Sequence, residues 1–133
     1  MKQIVHLNEQ IKDEVASIEV KCMEIGRKLQ NMYENDFRSL GETFIIELVR
    51  ERKGKPARIE ELFLDGYESY LEIGVEKNEV YFPNGYIPIW KCKQEMFHHV
   101  GCVISFSLEA LEVKLKQLID EIYEDHRREL EEK

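Results

Sequence analysis

The sequence predicts an α+β fold, with a long N-terminal helix, an antiparallel meander of four to five strands and a long C-terminal helix. Three observations predict it. Apolar residues recur at heptad spacing at both ends of the chain, the period drops to two between them, and turn residues punctuate that middle stretch. A chain of 133 residues suits one domain with one core, here spanning 1–133.

The first helix is placed at 4–34. Ile4, Ile11, Ile18, Ile25 and Met32 recur every seven residues, with Val15, Cys22 and Leu29 interleaved. As d and a positions, with Asn8 the polar a residue, they form a coiled-coil-like stripe. Cys22 lies on that stripe and reads as core filler.

The meander is placed at 43–90. "TFIIELVRE" alternates as a strand, "RKGKP" turns the chain, and "RIEELFL" suits a strand or one helical turn. Asp65-Gly66 then signals a hairpin into "YESYLEIGVE". A turn at Lys77-Asn78 would pair Val75 with Val80 and Ile73 with Phe82. A loop over Pro83 to Tyr86 would pair Phe82 with Ile87 and Val80 with Ile89. Ile73, Val75, Val80, Phe82, Ile87 and Ile89 would then share the core face. Pro88 lacks an N–H, so its strand is read as an edge. Tyr70, Glu72, Gly74, Tyr81 and Trp90 fall on the opposite face. They form a candidate contact surface, the alternative being ordinary strand propensity on a solvated face.

The last helix is placed at 93–131. Met96, Val100, Ile104, Leu108 and Leu111 form a continuous face, extended by Leu115, Leu118 and Ile122. A second reading stays open over 99–106. There Val100, Cys102, Ile104 and Phe106 alternate as in a strand, and Ser107 before "LEAL" suits an N-cap. The closing "EDHRRELEEK" reads as a solvated helix end.

A helix of about 26 residues runs about 39 Å, whereas a seven-residue strand covers about 23 Å. Apolar stripes that overhang the sheet predict a homodimer, or higher homo-oligomer, joined through the helices. An intramolecular antiparallel helix pair is the alternative.

Charged residues make up 35% and apolar ones 43%, a soluble globular balance. A net charge of −8 argues against nucleic acid as the main partner. The N-terminal "MKQIVHLNEQIKDEV" reads as no leader, and no window approaches a membrane span. Cys22, Cys92 and Cys102 are an odd set, expected as reduced thiols. The expectation is a cytoplasmic protein with no membrane partner.

Cys92, His98, His99 and Cys102 invite a metal-dependent enzyme. Yet His99-x2-Cys102 offers one ligand pair without a distant second, so no metal is assigned. No G-x-S-x-G, P-loop, G-x-G-x-x-G or H-E-x-x-H motif occurs, and no catalytic residue or cofactor is assigned. The segment "RERKGKPAR" gathers Arg50, Arg52, Lys53, Lys55 and Arg58 against Glu51 alone. Such a tip suits a phosphate, a nucleotide or an acidic partner, or else guards a sheet edge.

The function expected first is non-enzymatic. It is that of a small regulator, inhibitor or immunity-type protein, of the kind phages and bacterial accessory loci encode. Another protein would be its target, reached through the Trp90/Tyr81 face or the acidic surface. The alternative is a binder of a small anionic, nucleotide-type ligand held between subunits.

Overall fold

The computed structural model describes residues 1–105 and 107–132. In chain order the elements are β1 (Lys2–Ile4), α1 (Glu9–Arg38), β2 (Thr43–Arg52), β3 (Lys55–Pro56) and a 3₁₀ turn at Ile59–Glu61. There follow β4 (Tyr67–Lys77), β5 (Val80–Glu95), β6 (His98–Val103) and α2 (Leu108–Glu131). The strands form one six-stranded sheet in the order β1-β6-β5-β4-β2-β3, with each neighbouring pair antiparallel. The predicted α+β class holds.

The helix starts are local chemistry. Asn8 caps α1, its side chain accepting from the Ile11 amide at 2.9 Å. The helix therefore begins at Glu9 and not at residue 4, because Ile4 pairs with Gly101 in β1. It runs to Arg38, past the expected 34, because Phe37 stacks on Phe44 (4.3 Å between centroids, 8°).

Ser107 caps α2 by accepting from the Ala110 amide at 3.1 Å. The helix expected from residue 93 is thus corrected: 93–103 belongs to the β5–β6 hairpin, and strand alternation wins there. Backbone pairing satisfies the amides, and Cys92, Val100 and Val103 are buried. Phe106 lies outside the described residues. Ser107→Ala should lower stability by about 1 kcal/mol through loss of the cap, measurable as a drop in the urea midpoint.

The β4–β5 register differs from expectation by one turn residue. Asn78 and Glu79, at φ 54° and 66°, make the turn, so Lys77 pairs with Val80 and Val75 with Phe82. No reversal occurs over Pro83 to Tyr86; β5 runs on through a bulge opposite Ile73/Gly74. Ile73, Val75, Ile87 and Ile89 are buried as expected, but Val80 and Phe82 are half exposed. β5 lies inside the sheet order, yet β6 pairs with it only over Trp90 to Glu95. From Val80 to Pro88 it has β4 as its described strand partner, so Pro83 and Pro88 stand where an edge tolerates them.

Both helices cover the same face of the sheet. Val15, Cys22, Leu29 and Phe37 of α1 join Leu111, Leu115, Ile119 and Ile122 of α2 in one core with the inward strand residues. Ile11, Ile18 and Ile25 pack half-buried against it, so the heptad stripe is used within the chain. The helices run in the same direction, with Lys28 on Glu112 (2.7 Å) and Phe37 against Tyr123 (5.6 Å). The antiparallel alternative is corrected: the two helices are parallel to each other, and α1 runs antiparallel to β2. Near their C-termini, His126 Nδ1 meets both Glu42 carboxylate oxygens, at 2.8 and 3.0 Å.

Candidate binding face

With both helices on one side, the other side of the sheet is open. Its centre is built from alternate residues of β2, β4 and β5. Glu47 lies opposite Glu72, Glu51 opposite Glu68, and Val49 opposite Tyr70. On β5, Tyr86 lies opposite Glu72, Pro88 opposite Tyr70 and Lys91 opposite Glu68. Like charges directly across a ladder destabilise a sheet by a few tenths of a kcal/mol to about 1 kcal/mol per pair. Two such pairs side by side are a cost that packing does not explain.

Tyrosines organise the carboxylates. Tyr70 Oη donates to Glu51 Oε2 at 3.2 Å, and Tyr81 Oη donates to Glu72 Oε1 at 3.0 Å. Tyr81 reaches its partner by lying across Gly74, where any Cβ would collide with the phenol and with the Phe82 carbonyl. Burial, then the Glu51 charge and hydrogen bond, push the Tyr70 phenol up to about 12. Burial and the bond to Glu72 raise Tyr81 as well. Both phenols stay protonated donors at neutral pH.

The rings of Tyr70 and Tyr86 meet edge-on, 5.5 Å apart at 64°. Together with Glu51, Glu68, Glu72, Pro88 and Lys91 they line an open depression of about 220 Å³. A hydrogen bond with Glu51 raises the Glu68 carboxyl, helped by burial and the Glu51 charge and opposed by Lys91. The arrangement is a shallow aromatic and acidic tray. It suits a cation whose charge meets carboxylates while its stem lies on ring faces.

The expected site residues divide. Tyr70 and Tyr81 stand on the open face as expected. Trp90 does not: it is fully buried on the helix side, its Nε1 donating to the Leu62 carbonyl at 2.9 Å. The bulge at Ile89 shifts the alternation by one and turns Trp90 inward.

The basic tip also separates. Arg50 points into the core, where its Nε donates to Glu19 Oε1 at 2.9 Å. Arg52 donates to the Asp65 carbonyl (2.9 Å), Lys53 sits 3.6 Å from Asp65 Oδ2, and Lys55 and Arg58 are exposed. Arg50 and Trp90 are both withdrawn from the surface where a nucleotide-type ligand was expected to use them.

Cys92, His98, His99 and Cys102 do not converge. Cys92 faces the core across from Gly101, while Cys102 lies on the other face across from Lys91. Among the described residues no group of three or more His, Cys, Asp or Glu is placed to hold a metal. Burial, with Asp65 and Cys102 nearby, pushes the Cys92 thiol up to about 11, far from a reactive thiolate.

Sequence reasoning missed Glu47, Glu51, Glu68 and Tyr86. The signal was present as glutamates at spacing four in β2 and at spacing four around Tyr70 in β4, one face of a strand in each case. What hid it was the pairing, which alone sets the two rows opposite each other.

Comparison of the chain with protein-family models, curated proteins and solved structures finds no match. Among the described residues no helix is long and apolar enough to cross a membrane.

Proposed function

We propose that this is a non-enzymatic binding protein whose open sheet face holds a lysine- or arginine-rich segment of another protein. The carrying observation is the pair of cross-strand glutamate couples, Glu47/Glu72 and Glu51/Glu68, set among Tyr70, Tyr81 and Tyr86. Such repulsion weakens the free fold and is relieved when a cation bridges the carboxylates. A regulator, inhibitor or immunity-type role fits a protein that acts by covering a basic surface.

Short oligolysine and oligoarginine peptides serve as probes in calorimetric titration. The wild type should bind them with strong salt dependence, and Glu51→Gln with Glu72→Gln should weaken binding about tenfold. Unchanged binding in that double variant, or none in the wild type, rejects the tray.

The same carboxylates predict a gain in stability. A carboxyl raised on folding stabilises the fold below the ordinary carboxyl pKa, and that contribution is lost as pH rises through its folded value. Glu68 is such a group. Glu68→Gln should therefore stabilise the protein at neutral pH, by about 0.5 kcal/mol, and lose that advantage in acid. Melting curves at both pH values check the sign.

The proposal includes a homodimer through the helices. Its support is the apolar surface left on their outer sides, where Val20, Met32 and Val113 are 41%, 54% and 57% exposed. Native mass spectrometry reporting only monomer at micromolar concentration removes that part and leaves the tray intact.

A further inference from the structure

The end of the sheet away from the helix C-termini carries two features that the tray does not use. Met96 and Phe97 form the turn between β5 and β6 and are 84% and 96% exposed. Met96 also sits at φ 53°, a left-handed conformation costly for any residue with a Cβ. Hairpin tips of this kind ordinarily use Asn or Gly. Here backbone strain and exposed apolar surface coincide, and neither residue belongs to the hydrophobic core.

The tip also runs on past β4. Gly66 donates its amide to the Cys92 carbonyl (2.9 Å) and Gln94 donates its own to Asp65 Oδ1 (2.6 Å), so the chain entering β4 ends its company with β5 at that level. The pairs Gln94–His99 and Glu95–His98 carry the turn onward. At the rise of a strand that is about 7 Å.

Beside the base of this finger lies the β2–β3 tip. The Lys53 side chain covers Gly66 and its Nζ reaches Asp65 Oδ2 at 3.6 Å. Lys55 is exposed there, Arg58 is exposed just past the end of β3, and neither takes part in an ion pair among the described residues. Most acids nearby are already held: Glu61 faces Arg52 (3.9 Å) and Glu95 faces Lys93 (2.9 Å). Glu60 is one exception, and Glu51 and Glu68 of the tray are others, Glu51 lying opposite Pro56 beside Lys55.

We infer that this end of the molecule is a peripheral contact for an anionic phospholipid surface. Met96 and Phe97 enter the boundary between headgroups and acyl chains, while Lys53, Lys55 and Arg58 meet lipid phosphates. An extension of about 7 Å beyond β4 matches the depth of about 5–10 Å to which interfacial apolar groups sink. A bilayer accepts two apolar side chains on a narrow tip without a shape-matched pocket, and nucleic acid gives an exposed methionine no reward.

Part of the net charge of −8 lies far from this contact. The acidic end of α2 lies beside Glu42, at the opposite end of β2. The length of that ten-residue strand, about 33 Å, is several Debye lengths at physiological salt. The absence of a spanning helix concerns crossing a bilayer, not resting on one. This inference does not depend on the tray.

Co-sedimentation of the full chain with phosphatidylcholine vesicles, with and without phosphatidylserine, tests it. The wild type should sediment with the serine-containing vesicles. Phe97→Ser should reduce that binding about tenfold. Lys55→Gln and Arg58→Gln should each reduce it about fivefold, on the anionic vesicles only. Phe97→Trp should gain quenching by brominated lipid that the wild type, with Trp90 buried, lacks. No wild-type sedimentation, equal binding to both vesicles, or indifference to Phe97→Ser overturns the inference. So does self-association that Phe97→Ser abolishes without any vesicle binding, which gives the finger to a second copy instead.

Discussion

Arg50→Ala should destabilise the protein by about 3–5 kcal/mol, the cost of stranding a buried charge. Glu19 is completely buried on the sheet side of α1, between Val15 and Cys22. Its Oε1 accepts from Arg50 Nε at 2.9 Å and its Oε2 accepts from Tyr67 Oη at 2.7 Å. Both acceptors are occupied and the charge is balanced, so the carboxylate is tolerated. Removing Arg50 takes away the cation and one donor together.

Tyr67→Phe removes a single donor and should cost less, about 1.5–3 kcal/mol for a hydrogen bond to a charged group. Burial, then the hydrogen bond to Glu19, raises the Tyr67 phenol above its ordinary range, so it is a protonated donor at neutral pH. Replacing Glu19 and Arg50 together by Met in the Tyr67→Phe background should recover most of the loss, because no buried charge or donor is then left unpaired. Urea unfolding of the three variants gives the ranking. A loss below about 1 kcal/mol for Arg50→Ala shows that water already reaches Glu19.

Gly101→Ala should cost about 3 kcal/mol, against what strand propensity alone predicts. Propensity favours alanine over glycine within a strand by roughly 0.5–1 kcal/mol. Here, however, the six-membered ring of Trp90 lies on the Gly101 backbone, and any Cβ would fall inside it. The indole cannot move aside easily. It is fully buried, donates to the Leu62 carbonyl at 2.9 Å and lies against Phe63 with centroids 6.1 Å apart.

Trp90→Ala should cost about 3–5 kcal/mol by itself through the cavity it leaves. In that background Gly101→Ala should be nearly free, giving a coupling of about 3 kcal/mol. Additive losses in the double-mutant cycle would mean that the two residues do not share this contact.

The two predictions mark where sequence reading succeeds and where it stops. The stripe Val15, Cys22, Leu29 was legible because helical periodicity repeats over many residues and any sheet beneath it would be served alike. Glu19 was not, since a glutamate on a long helix is ordinarily solvated and only its partners from β2 and β4 reveal otherwise. Trp90 was read on the wrong face because a one-residue bulge reverses everything beyond it, and bulges leave no composition signal. The tray was half legible. Tyr70, Glu72 and Tyr81 were placed on the open face by alternation, while Glu51 and Glu68 gained meaning only when paired.

By itself the sequence determined the α+β class, the two long helices, the turn-rich strands between them and the inward set Ile73, Val75, Ile87 and Ile89. These follow from local periods and caps, which act over a few residues and need no distant partner. Only the tertiary structure decided the strand order, the hairpin at Met96–Phe97, the inward turn of Trp90 and the glutamate couples of the open face. Those depend on which edge meets which, and at what offset. A shift of one residue exchanges the buried and exposed faces of a strand, and that free energy is settled by the packed whole.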